Sequence, residues 1–331
     1  MSDLKLKTAR SSLWMTGIQI GMRPFATVID IILLRLLVPE DYGLVALAMI
    51  LMSTANLFTD LGMRQVVIQT RQDINKVAYY AFLIVMFGSV IATALVFFLA
   101  APFARILGGN ENLVPVLQVM SIYITIDGLL LIPDALLRRE LKFKQVALAQ
   151  IPGELGKSLL AVPMALMGFG VWSLVFGMLF SKLIQTVQYW IYQRPWIWLK
   201  PQPWDRQVIS SMVRFGVPTT LAGFMAFIQN NIDTWYVGRQ LGQVAVGYYS
   251  RAFSLTTRIN RMVTSGLFGQ VLFSSYSTIQ EERSRMARAY LKSTNMVYLM
   301  MTPVSLGMAV AAPLLVQVLI GDRWLPMVPA W

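Results

Sequence analysis

Residues 77–104 read VAYYAFLIVMFGSVIATALVFFLAAPFA, twenty-eight residues without a charge. A transmembrane helix needs about 20 mostly apolar residues, and this run exceeds that length. The runs 42–59, 158–181, 215–232, 262–280 and 293–321 are uncharged as well. The whole chain of 331 residues follows suit, with 56% hydrophobic and 13% charged residues. Ordinary soluble domains carry about 25% charged residues. The sequence therefore predicts an all-α, polytopic membrane protein. With single intramembrane charges allowed, nine spans are expected, at 11–36, 42–63, 77–103, 113–137, 146–167, 171–192, 212–237, 246–275 and 293–318.

Two residue types are missing. The chain has no Cys and no His, which excludes thiolate chemistry, Cys-based zinc sites and the commonest general base. It has no P-loop and no Asp-x-Asp pair, so no cofactor, metal or ATP hydrolysis is expected within it. The net charge of +12 is read as a membrane feature, with no nucleic acid as partner. Basic residues collect in cytoplasmic loops. Lys5, Lys7 and Arg10 precede span 1, Arg64, Arg71 and Lys76 follow span 2, and Arg138, Arg139, Lys142 and Lys144 follow span 4. Arg194, Lys200, Arg206 and Arg214 lie between spans 6 and 7, and Arg283, Arg285, Arg288 and Lys292 between spans 8 and 9. Every second loop is basic, which predicts a cytoplasmic N-terminus and an uncleaved first helix. Tyr79, Tyr80, Trp172, Tyr189, Trp190, Tyr192, Trp196 and Trp198 are expected to form aromatic belts. The segment Arg194-Pro-Trp-Ile-Trp-Leu-Lys-Pro-Gln-Pro-Trp204 is expected to lie on the cytoplasmic leaflet.

The chain also echoes itself. Asp30 and Arg35, then Pro39-Glu-Asp-Tyr-Gly43, match Asp233 and Arg239, then Val246-Gly-Tyr-Tyr249. Ala100-Ala-Pro102 matches Ala311-Ala-Pro313, each followed thirteen residues later by a proline. The two matches lie 203 and 211 residues apart. An even number of helices per unit makes the two bundles parallel repeats around a central cavity, a transporter architecture. The expected division is a first six-helix bundle at 1–193, an interfacial linker at 194–211, and a second bundle at 212–331 that stops short of six helices.

Four segments carry a family resemblance: Leu37-Val-Pro-Glu-Asp-Tyr-Gly43, Leu137-Arg-Arg-Glu-Leu-Lys-Phe-Lys144, Gly168-Phe-Gly-Val-Trp-Ser-Leu174 and Phe215-Gly-Val-Pro218. In this order they resemble the polysaccharide transporter family, the Wzx-like oligosaccharide flippases of the multidrug/oligosaccharidyl-lipid/polysaccharide exporter superfamily. The resemblance implies two helical bundles and alternating access. It implies a carrier, not an enzyme, that flips undecaprenyl-pyrophosphate-linked repeat units across the bacterial inner membrane for exopolysaccharide, capsule or O-antigen. Polysaccharide polymerase and chain-length machinery are the implied partners, beside the bilayer and the lipid-linked oligosaccharide. The rival readings are a drug/cation antiporter of the same superfamily and a membrane polysaccharide polymerase or ligase. The first would want an acidic cavity, and the second large outer loops.

Charges inside a bilayer are costly and tend to face a wet cavity or a partner. Arg251, Arg258 and Arg261 share one side of span 8, and Arg23 lies in span 1. Arginine forks suit phosphate oxygens, so Arg23, Arg251 and Arg258 are candidate head-group ligands; the bland alternative is snorkelling, or neutralisation by an acid. Gln229, Asn230 and Asn231 either meet sugar hydroxyls or join helices. Asp127 and Asp134 are either coupling carboxylates, since buried acids can hold protons near neutral pH, or partners of the span 8 arginines. Local pairs are expected for Glu154 with Lys157 and Asp60 with Arg64, and structural pairs for Asp30 with Arg35 and Asp233 with Arg239.

Overall fold

The computed structural model describes residue 21, residues 24–265 and residues 283–330, with side chains to 258 and from 284. No strand occurs among them. Helix α1 covers 24–36. It is followed by α2 (Pro39–Asp60), α3 (Met63–Gln69), α4 (Ile74–Phe98), α5 (Ala100–Leu107), α6 (Leu113–Arg139), α7 (Phe143–Leu166) and α8 (Val171–Gln193). Helix α9 (Arg206–Ser265) and α10 (Arg283–Leu315) come next, then a π-helical turn at Val316–Ile320 and a 3-10 stretch at Asp322–Ala330. Among the described residues five helical stretches are long and apolar enough to cross a membrane, the one at Arg206–Arg258 long enough to hold two spans.

Local chemistry sets the ends. Pro39 opens α2 with its fixed φ, and the Asp41 carboxylate accepts the Val38 N–H at 3.1 Å. The helix stops at Leu61 and Gly62, both left-handed (φ 45° and 70°). The expected span 42–63 therefore ends at Asp60, and the short α3 follows the turn. The expected span 77–103 divides at Leu99. Pro102 has no N–H to give the Phe98 carbonyl, and the chain opens one turn before it. Spans 7 and 8 are two helices that α9 joins across a kink at Gly242, whose φ of 79° and ψ of 177° are not helical.

The chain packs as two compact units, Met1–Gly247 and Tyr248–Trp331. This packing boundary differs from the division expected from the repeat, which is a matter of sequence register rather than of contacts. In the first unit α6 is central, touching α2, α3, α4 and α8. Leu113, Leu117, Met120, Ile124, Ile132 and Leu137 are all fully buried along it. One face of α4 is open, with Phe87 72% and Phe98 79% exposed, while Val77, Tyr80, Ala81 and Val85 pack inward. Helices α7 and α8 form a tight hairpin, and Gly156 packs against Ile184 and Phe180.

Two glycines meet within this unit. A Cβ on Gly43 would run into the Gln243 carbonyl, and one on Gly247 into the Pro39 carbonyl. Each glycine rests on the backbone four residues before the other. The Gln243 amide also donates to Glu40 Oε1 at 2.5 Å. In the second unit Trp324 is buried. The Tyr248 ring meets it edge-on at 5.9 Å, and the Tyr248 hydroxyl donates to the Arg323 carbonyl at 3.1 Å.

Candidate functional site

The chemistry of the first unit lies in charges carried on apolar helices. Asp127 stands 14 residues into α6 and 12 from its end, about 21 Å and 18 Å along the axis. Lys182 is midway along α8. Their charged groups meet at 2.5 Å, with side chains 17% and 16% exposed. Tyr123, one turn before Asp127, presents its ring to the ammonium at 5.0 Å from its centroid, a cation–π contact. Below the pair, Thr186 Oγ1 donates to the Ile126 carbonyl at 3.3 Å and Trp190 Nε1 to that of Leu129 at 2.9 Å. Helix α8 is thus zipped to α6 by polar contacts in an apolar setting.

Asp134 is 2% exposed, and Arg138 Nε donates to its two oxygens at 2.8 Å and 2.9 Å. Arg64 of α3 forms a second ion pair with it. Arg64 also receives Asp60 at 3.9 Å, and its own backbone N–H donates to Asp60 Oδ1 at 3.1 Å. The Tyr189 hydroxyl faces Asp134 and Gln150. Beside this cluster Arg139 donates to the carbonyls of Val67, Ile68 and Thr70 at 3.0, 2.9 and 2.8 Å. Those are the open carbonyls at the end of α3, so α6 caps α3. Within the first unit, Asp134 finds its cations on α3 and its own helix, and Asp127 finds its cation on α8.

Other pairs differ from those expected by proximity in sequence. Lys157 reaches Asp30 of α1 at 4.0 Å, leaving Glu154 outside that pair. The local pair of Asp60 and Arg64 is present. Asn230 and Asn231 turn back on their own helix, donating to the Ala226 and Phe227 carbonyls at 2.6 Å and 2.9 Å. Asp233 Oδ1 accepts from the Thr234 N–H at 2.7 Å, and Arg239 donates to the Arg105 carbonyl at 3.2 Å. In the second unit Arg251 and Arg258 are both half-buried on α9, seven residues apart and so on one face. Arg23, and the side chain of Arg261, lie outside the described residues. No group of three or more acidic, His or Cys side chains able to hold a metal occurs among the described residues.

The aromatic belt needs correcting in part. Tyr80, Tyr189 and Trp198 are 4%, 2% and 3% exposed, so all three are core residues. The segment after α8 is a strap docked on the bundle. Trp198 inserts beside Phe82 and Trp190, with ring centroids 5.6 Å and 6.2 Å away. The Tyr80 hydroxyl donates to the Pro203 carbonyl, and Lys76 holds Asp205 at 3.8 Å. Trp196 and Trp204 remain exposed. Tyr123, Lys182 and Arg139 carry contacts that sequence reasoning did not pick out, because their partners lie 59, 55 and about 70 residues away on the chain.

Comparison with known proteins bears on this arrangement. A family described as "Polysaccharide biosynthesis protein" matches residues 32–329. The chain is 27% identical over 294 residues to the succinoglycan biosynthesis transport protein ExoT of Rhizobium meliloti, covering 88% of this chain and 58% of that protein. It is 20% identical over 332 residues to the lipopolysaccharide biosynthesis protein WzxC of Escherichia coli, covering 99% and 66%. The chain thus spans about three fifths to two thirds of the length of these relatives. Among solved structures it resembles an inward-facing multidrug resistance MATE family transporter of the MOP superfamily, with a TM-score of 0.71, 16% identity, and coverage of 96% of this chain and 78% of that one. A MOP superfamily transporter from Pyrococcus furiosus, described as having a binding pocket of reversed polarity, gives a TM-score of 0.59 at 17% identity over 97% and 75%. These structural likenesses establish the fold. The chain belongs to the polysaccharide biosynthesis protein family.

Proposed function

We infer that this protein is a carrier, not an enzyme, that flips a lipid-linked oligosaccharide, an undecaprenyl-pyrophosphate-linked repeat unit, from the cytoplasmic to the outer leaflet of a bacterial inner membrane. Its N-terminus is on the cytoplasmic side, and polymerase and chain-length proteins are its downstream partners. The observation that carries this reading is the family match over residues 32–329. The names of the relatives point the same way. They belong to succinoglycan, lipopolysaccharide and teichuronic acid biosynthesis, so what is common to them is polysaccharide assembly rather than one sugar.

In this reading Arg251 and Arg258, with Arg23, hold the pyrophosphate through bidentate forks. Asn230 and Asn231 exchange their bonds to the helix for sugar hydroxyls. Asp127 and Asp134 act as polar elements whose ion pairs with Lys182 and with Arg64 and Arg138 keep the first bundle in register as it moves. The absence of Cys allows a direct test. Single cysteines at 251 and 258 in the full-length protein are labelled from each aqueous phase. Undecaprenyl-pyrophosphate-linked oligosaccharide should protect them, and organic cations should not. Protection by organic cations alone returns the antiporter reading, and labelling from neither phase refutes the binding assignment.

A further inference from the structure

Apart from the residues given a role in transport, two elements of the first unit enclose a cavity of about 320 Å³. One wall is the end of α3 with the turn after it, and the other is the opening of α9. Thr70, Arg71 and Gln72 line the first wall and Ser211 the second. Val66, Met212 and Phe215 supply an apolar remainder. Among the described residues that line it there is one cation, Arg71, and no acid.

The two walls are held at a fixed spacing. A Cβ on Gly216 would lie 2.2 Å from the Leu61 carbonyl oxygen, and one on Gly62 2.7 Å from the Gly216 carbonyl oxygen. The two backbones therefore touch one residue beyond Phe215. The Gln72 side-chain amide donates to Ser211 Oγ at 3.2 Å, joining one wall to the other. Thr70 Oγ1 accepts the Gln72 N–H at 3.1 Å, and Arg139 grips the Thr70 carbonyl at 2.8 Å. The turn is thus tied down on both sides of Arg71, while Arg71 itself is exposed. A site shaped in advance loses little freedom when a ligand arrives.

The chemistry selects an anion with an apolar tail. A guanidinium with hydroxyl and amide groups beside it suits phosphate oxygens, and Val66, Met212 and Phe215 suit hydrocarbon. The sequence sets the depth. Arg71 and Lys76 precede the uncharged run 77–104, Arg206 and Arg214 precede the run 215–232, and Phe215 is the first residue of the latter. In a bilayer the charged flank of such a run meets the head groups and the run itself meets the acyl chains. Basic pockets between helices at that level take anionic lipid head groups. At ~30 Å³ per water the cavity equals about eleven waters, room for a phosphate with a short alcohol but not for a chain of sugars. We propose that this cavity seats the head group of an anionic phospholipid of the phosphatidylglycerol kind, with the phosphate on Arg71 and the chains leaving past Phe215. A lipid so held touches both walls and braces α3 against α9. This site does not rest on the transport reading above.

The test uses the full-length protein in a neutral detergent. Phosphatidylglycerol at about a hundred times its Kd should raise Tm by about 4 °C, and phosphatidylcholine should leave it unchanged. Glycerol phosphate, which carries the charge without the chains, should leave it unchanged as well. Phosphatidylglycerol with a photoreactive group near its head should label the peptides that hold 69–72 and 211–215. By native mass spectrometry Arg71→Ala should bind phosphatidylglycerol about tenfold more weakly than the parent, and Arg71→Lys should fall between the two. Lipid-free R71A should melt within about 1 °C of the parent, because the side chain is exposed. Labelling confined to other parts of the chain, an equal response to phosphatidylcholine, or parental binding by R71A overturns the proposal. A shift with glycerol phosphate as large as that with phosphatidylglycerol means a soluble phosphate ligand and overturns the lipid assignment. The labelling needs no variant, so it decides the case in which R71A fails to fold.

Discussion

Replacing Lys182 by Met leaves Asp127 without its ammonium near the middle of α6. At 2.5 Å and an effective dielectric constant of about 20, the Coulomb attraction of the pair is about 7 kcal/mol. Desolvation of both ions offsets much of that, and removing one partner of a buried pair costs about 3–5 kcal/mol. K182M should therefore destabilise the protein by about 4 kcal/mol. Asp127→Leu alone strands the ammonium, eased by the Tyr123 ring at 5.0 Å, a contact worth about 1–2 kcal/mol. Its cost should be nearer 3 kcal/mol. The double variant D127L/K182M has no buried charge left, and replacing a buried pair by apolar residues is often neutral. It should fall within about 1 kcal/mol of the parent. Reversible denaturation of the full-length protein in mixed micelles reads all three values. A double variant as unstable as the two singles added together would refute the buried pair, because it would show that Asp127 and Lys182 do not depend on each other.

Three further expectations follow from the packing. Gly43→Ala and Gly247→Ala each force a Cβ into a backbone carbonyl that cannot swing aside, so each should cost about 2 kcal/mol or more; thermal melts of the solubilised protein measure it, and an unchanged Tm rejects the contact. Arg139→Ala removes three donors from the end of α3, each charge-assisted bond contributing about 1.5 kcal/mol or more. Limited trypsin digestion should then cut at the exposed Arg71 about tenfold faster, in proportion to local opening. Single-Trp variants should show Trp196 and Trp204, 66% and 79% exposed, quenched by brominated lipid, and Trp198, 3% exposed, shielded from it.

The helices were legible where charge is scarce, as in the uncharged run 158–181. It covers the end of α7 and the start of α8, and its Gly168 and Gly170, at φ 82° and 52°, mark the turn between them. Which charges meet was less legible. Chain proximity suggests Glu154 for Lys157, yet the rotation of α7 aims Lys157 at Asp30, and no single helix pattern encodes that rotation. The same limit hid Lys182 behind Asp127. The three tryptophans of the 194–204 segment look alike in sequence, and only the pocket beside Phe82 and Trp190 selects Trp198. Left-handed Leu61 was invisible, because leucine carries no signal for that conformation, whereas Gly62 beside it does.

The docked strap changes what counts as half of this protein. Trp198, Val208 and Met212 share one core with Tyr80, Ala81, Leu131 and Ala135. A ribosome that has released α8 from the translocon has yet to deliver that cover. The part up to Gln193 stays open along one flank until Trp198, Val208 and Met212 emerge. A gene fragment cut after Gln193 would leave that wound permanently, inviting chaperones and proteases, while one cut after Met212 would carry its own seal.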